Sequence, residues 1–90
     1  MNSNSRSPEN NVYIATFFAH FGAVRFERML RKKGIAGRIM PVPRNLSSTC
    51  GSCVRYEGEE WVPEDSYGEI EQIVKETVQG YECIYRAKDS

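Results

Sequence analysis

Val12-Tyr13-Ile14-Ala15-Thr16-Phe17-Phe18 is a run of β-branched and aromatic residues of strand length, apolar on both of the faces a strand presents. Such a segment predicts a central strand, and it obliges the rest of the chain to build a layer over it. The residues that follow agree: Ala19, Gly22, Ala23, Phe26, Met29, Leu30 and Lys33 recur at spacings of three and four, predicting a helix with a mostly apolar stripe that ends at Gly34. With 90 residues and 40% hydrophobic content, the chain can form one small core, without a second lobe or an elaborate substrate pocket.

Further along, Gly37-Arg38-Ile39-Met40-Pro41-Val42-Pro43 reads as a second strand, and its two prolines, which cannot donate to a ladder, assign it to a sheet edge. Cys53-Val54-Arg55-Tyr56 reads as a short third strand and Tyr81 to Arg86 as the last one. Between them, Pro63 and Ser66 with Glu69 form a helix-start signal, and Tyr67, Ile70, Ile73, Val74 and Thr77 supply the buried face of a second helix stopped by Gly80. The order βαββαβ predicts an α+β fold of ferredoxin-like type, a four-stranded antiparallel sheet with two helices on one face. Residues 1–10, rich in Ser and Asn, read as a disordered tail, leaving residues 11–90 as a single domain.

The net charge is zero, but the charges are sorted along the chain. Arg25, Arg28, Arg31, Lys32, Lys33, Arg38 and Arg44 crowd the first half, whereas Glu57, Glu59, Glu60, Glu64, Asp65, Glu69, Glu71 and Glu76 dominate the second. This suits neighbouring elements that attract each other, or solvated helix faces. No run approaches a membrane span and the start lacks the apolar segment of a signal peptide, so the cytoplasm is the expected compartment. In a reducing compartment three cysteines argue against a disulfide framework and for reactive, metal-bound or buried thiols.

Cys50 is the thiol with the most suggestive surroundings. Arg44, Ser47, Ser48 and Thr49 precede it, offering a cation and several donors that favour the thiolate, the form that attacks or accepts sulfur. Gly51 follows and lets a partner approach closely. Cys50-Gly51-Ser52-Cys53 has C-x-x-C spacing, but a strand rather than a helix follows it, and three extended residues span roughly 10 Å, beyond the ~7 Å a disulfide tolerates. Zinc would draw on Cys50, Cys53, Cys83 and His20, of which one pair alone has ligand spacing, so no metal and no cofactor are expected. Cys83, between Tyr81 and Tyr85, reads as a packed strand residue.

From Val12 to about Tyr85 the chain resembles the selenium/sulfur (Se/S) carrier protein-like family, a family of small bacterial domains. The resemblance is carried by the strand ending in Phe17, the helix with Ala23 and Glu27, then Pro41-Val42-Pro43-Arg44, Leu46-Ser47-Ser48 and Cys50-Gly51 before a strand. It implies a carrier more than a stand-alone enzyme: Cys50 accepts sulfur or selenium from a donor enzyme of cysteine desulfurase type and hands it to an acceptor protein. Arg44, Ser47, Ser48 and Gly51 would shape the surroundings of the acceptor thiol. The chain departs from the family pattern at Ala19-His20-Phe21-Gly22, and at Cys53, where an apolar strand residue is expected and where a thiol offers a helper for release of the carried atom.

Two readings of another class compete. An RNA-recognition domain has the same element order, with Tyr13 as a stacking residue and Gly51, Val54 and Tyr56 echoing its third-strand motif, but Cys53 stands where a base should stack and the basic residues gather on the helix. Nucleic acid is therefore not the expected partner. A homodimerising module would use Tyr13, Phe17, Tyr56 and Tyr85 as an aromatic patch on an open sheet face.

Overall fold

A computed structural model of the protein describes residues 11–58 and 68–87. These form β1 (Asn11–Phe17), α1 (His20–Lys33), β2 (Gly37–Pro41), β3 (Ser52–Gly58), β4 (Ile70–Thr77) and β5 (Gly80–Arg86). The strands make one antiparallel sheet in the order β2-β3-β1-β4-β5, with β1 at its centre and the proline-bearing β2 at an edge. The expected tail at residues 1–10 and the helix-start signal at Pro63 and Ser66 lie outside the described residues.

The four-stranded, two-helix ferredoxin-like arrangement is not what the chain builds. The sheet has five strands, one helix packs on it among the described residues, and Ile70 to Thr77, expected on a second helix, are strand β4. The cause is a bulge. Thr16 pairs with Gln72 and Phe17 with Ile70, so Glu71 is an extra residue that no β1 residue opposes. The extra residue shifts the alternation, placing Ile70 and Ile73 on one face and Val74 on the other. An apolar spacing of three, which reads as helical, is here two strand faces joined by a bulge.

α1 covers the face bearing Tyr13, Ala15 and Phe17, which pack with Ala23, Phe26, Leu30, Val54, Tyr56, Ile70 and Ile73. Phe17 and Phe26 have centroids 5.3 Å apart, Phe26 and Tyr56 5.5 Å, and Tyr13 stacks on Tyr56 at 5.4 Å. Each such side chain contributes roughly 1.5–3 kcal/mol by burial. Tyr13 and Phe17 are wholly buried and Tyr56 nearly so, hence the expected base-stacking position and the open aromatic patch are both core beneath the helix. Only Tyr85 of that set is partly exposed, packed at the margin of the cluster.

Local signals set the helix ends. Gly34 takes a left-handed conformation at φ 76°, its N–H donating to the Arg31 carbonyl at 3.1 Å, and Ile35 N–H donates to the Leu30 carbonyl at 2.9 Å, a Schellman closure. Near the other end Gly22 lets the helix approach β1: a Cβ there would lie 3.0 Å from Glu69 Cβ and 3.3 Å from the Phe17 ring. The charge sorting is realised where Arg25 Nε of α1 meets Glu69 Oε1 at 3.1 Å while its guanidinium lies 4.7 Å from the Phe21 ring centroid.

Candidate functional site

Strand direction gathers the chemistry-bearing residues at one end of the sheet. β1, β2 and β5 finish there, β3 and β4 start there, and α1 begins there at His20. The connection from β2 to β3, residues 42–51, lies at this end. Val42 N–H donates to the Gly51 carbonyl at 3.0 Å and closes the loop at its neck, while Leu46 N–H donates to the Pro43 carbonyl at 3.0 Å and makes a turn at its start.

The loop has an apolar and a polar anchor. Val42 and Leu46 pack on the sheet face opposite α1, against Ile14, Cys53 and Val74. The polar anchor is Glu71, which the bulge aims at the loop. Its carboxylate accepts Ser48 Oγ at 2.9 Å, Thr49 Oγ1 at 2.8 Å, Thr49 N–H at 3.2 Å and Thr16 Oγ1 at 3.1 Å. Partial burial alone raises the pKa of this acid, but the bonds from Thr49, Ser48 and Thr16 outweigh it and hold Glu71 below the ordinary value of 4.5. Beside it, Gln72 Nε2 donates to the Ser47 carbonyl at 3.0 Å and its Oε1 accepts from Arg86 at 3.3 Å.

Cys50 is half-buried at the end of this pinned segment, and its N–H donates to Ser48 Oγ at 3.3 Å. The chain Cys50 N–H, Ser48 hydroxyl, Glu71 carboxylate thus runs from the candidate thiol into the sheet. Next to it, Gly51 is exposed, and a Cβ placed there would meet nothing within 4 Å, so the thiol's neighbour leaves open space. Two residues on, Ser52 Oγ lies 2.9 Å from His20 Nδ1, which ties the first residue of β3 to the start of α1.

The remaining sequence candidates fall elsewhere or act differently. Arg44 is exposed and makes no hydrogen bond or ion pair among the described residues. Ser47 is exposed and contributes its carbonyl, through Gln72, rather than its hydroxyl. Cys53 is fully buried, its Sγ donating to the Pro41 carbonyl at 3.7 Å, and burial pushes its thiol up to about 11, so it stays protonated at neutral pH. Cys83 is not packed but exposed on β5, the edge strand. All three are free thiols, and no group of three His, Cys, Asp or Glu side chains among the described residues is placed to hold a metal ion. No helix among the described residues is long and apolar enough to cross a membrane.

Glu71, Gln72, Arg86 and the His20 to Ser52 contact were not singled out by sequence. A signal existed for the first two: an acid and an amide interrupt Ile70-Glu71-Gln72-Ile73-Val74, and a polar pair inside a β-branched run marks a strand irregularity or a buried role. Read as a helix, the same residues fell on a solvated face.

Residues 12–86 match the family model described as "Putative Se/S carrier protein-like". No curated protein and no solved structure matches the chain.

Proposed function

This chain belongs to the Se/S carrier protein-like family, and on that footing we propose that it carries sulfur or selenium on Cys50 between a donor enzyme of cysteine desulfurase type and an acceptor protein. The observation that supports this reading is the contrast among the three thiols. Cys53 is sealed in the core and held protonated, Cys83 stands on an exposed edge strand with its Sγ donating to the Tyr85 carbonyl, and Cys50 alone sits on a loop pinned to the sheet beside open space. A carrier needs a sulfur that a partner's active site can reach and that nevertheless returns to one position. The Glu71 anchor supplies the second requirement and Gly51 the first.

In the loading step the Cys50 thiol gives up its proton and its sulfur attacks the outer sulfur of the donor's persulfide. The new S–S bond forms as the donor's S–S bond breaks, and the donor thiol leaves and takes a proton. Delivery repeats the exchange with the acceptor as attacking group, so no external oxidant or reductant enters. Cys53, wholly buried with its Sγ donating to the Pro41 carbonyl, takes no part in this exchange as proposed.

Intact-mass measurement after incubation with a cysteine desulfurase and cysteine tests the proposal. A sulfur-mass adduct is expected on the wild type and on Cys83→Ser and is expected to be lost on Cys50→Ser. An adduct that survives Cys50→Ser overturns it.

A further inference from the structure

Leu46, Ser47, Ser48 and Thr49 of the loop, Glu71 and Gln72 of β4 and Arg86 at the end of β5 line an open cleft of about 500 Å³. That volume falls within the range of small-molecule sites, and a chain of this length was not expected to form one. Its cation is Arg86. The guanidinium has five N–H donors, of which the described residues engage one, through Gln72 Oε1 at 3.3 Å, and Arg86 forms no ion pair among them. The contact is directional: Gln72 Nε2 is committed to the Ser47 carbonyl, so the amide turns its oxygen toward Arg86 and holds the fork in the cleft.

Glu71 adds a negative charge to the same cleft, but its oxygens are already occupied by Ser48, Thr49 and Thr16. With the Ser48, Thr49 and Gln72 donors committed, the cleft presents the single Arg86 fork rather than a positive field. This favours one planar carboxylate over a polyanion such as a phosphate chain. The cleft also adjoins the backbone of Cys50. Thr49 lines it, Cys50 is the next residue with its Cα about 3.8 Å further along the chain, and the Cys50 N–H bonds to Ser48, another lining residue.

Building on the carrier reading of Cys50, we infer that this cleft binds low-molecular-weight persulfides or selenosulfides bearing a carboxylate, with Arg86 as the carboxylate anchor, so that a small molecule is a second source of the carried atom beside the donor enzyme. The reaction is thiol exchange. Cys50 sulfur attacks the outer sulfur of R–S–SH, Cys50–S–SH forms, and R–SH leaves with the proton, with no change in overall oxidation state.

The test uses glutathione persulfide as loading probe, S-methylglutathione as an unreactive binding probe, the diester of that thioether, and inorganic polysulfide as a sulfur source without a carboxylate. S-methylglutathione is expected to shift the amide resonances of Ser47, Ser48, Thr49 and Gln72 in the wild type, and the diester is not. Arg86→Gln should weaken binding by about tenfold or more, the loss of one charge-assisted contact, with Arg86→Lys in between. The glutathione persulfide concentration giving half-loading of Cys50 should rise by the same factor, whereas loading from polysulfide should not change. Binding or loading that ignores Arg86, or a diester that binds as well as the acid, overturns the cleft assignment and leaves the carrier reading standing. Arg86-dependent binding with no loading of Cys50 from any source overturns the carrier reading instead.

Discussion

Glu71 holds the loop with a charged acceptor that four donors face, and that geometry sets how the loop answers to acid. Because its folded-state pKa lies below the ordinary 4.5, the carboxylate stabilises the docked loop at all pH values above that point and the contribution is lost as pH falls through the lower, folded value. The protection of the Thr49 amide, its exchange rate relative to the intrinsic rate at the same pH, should therefore fall below about pH 4.5 before the helix unfolds. Glu71→Gln keeps one acceptor oxygen but turns an NH₂ toward donors, so it should cost about 1–3 kcal/mol and abolish that acid dependence. A Thr49 amide whose exchange in the variant tracks the wild type at every pH would remove Glu71 from this role. The thiols give a second residue-scale expectation. Cys53, buried with its pKa near 11, should resist alkylation in the folded protein while exposed Cys83 and half-buried Cys50 react, an order readable by mass-resolved labelling.

At the scale of elements, the bulge in β4 and the close approach of α1 do most to position the site. Deleting Glu71 would restore strict alternation with Ile70 and Ile73 still on one face, so what the extra residue adds is the loop anchor itself. Gly22 tests the helix. An alanine there gains about 1 kcal/mol of helix propensity, but its Cβ would crowd Glu69 Cβ at 3.0 Å and the Phe17 ring, an overpacking that costs typically 1–3 kcal/mol. Gly22→Ala should therefore destabilise by about 1 kcal/mol, seen as a lower denaturation midpoint at unchanged slope. Most of the element map was open to sequence reading because its signals are local. The apolar run of β1, the stripe and glycine stop of α1, and the prolines of β2 each act within a few residues. The state of Ile70 to Thr77 was not, since Ile70, Ile73, Val74 and Thr77 satisfy a helix stripe and a bulged strand equally well.

For the whole molecule, the sheet is sealed on one face by a helix and on the other by a loop. Loss of the helix-side core should unfold the protein: Phe26→Ala removes a ring that touches both Phe17 and Tyr56, at a cost of about 3–5 kcal/mol against a total of roughly 5–15. Loss of the loop-side seal should be local. Leu46→Ser is expected to raise the alkylation rate of Cys53 while the circular-dichroism signal of α1 persists, because the cluster of Ile14, Cys53 and Val74 is separate from the one beneath the helix. The site divides in the same way. Cys50, Ser48 and Gly51 stand out in the sequence because they are neighbours along the chain. The residues that hold and flank them, Glu71 and Gln72, Arg86, and His20, come from three other places in the chain. What the sequence determined by itself was which short segments prefer extended or helical backbone and which thiol lies in a hydroxyl-rich turn, since those preferences arise within a few bonds. Tertiary structure decided the fate of Ile70 to Thr77, the burial of Cys53 and the exposure of Cys83, because each depends on which strand lies alongside: pairing with β1 on one side and β5 on the other satisfies the backbone of β4 and buries Ile70, Gln72, Ile73 and Val74, a gain no local window contains.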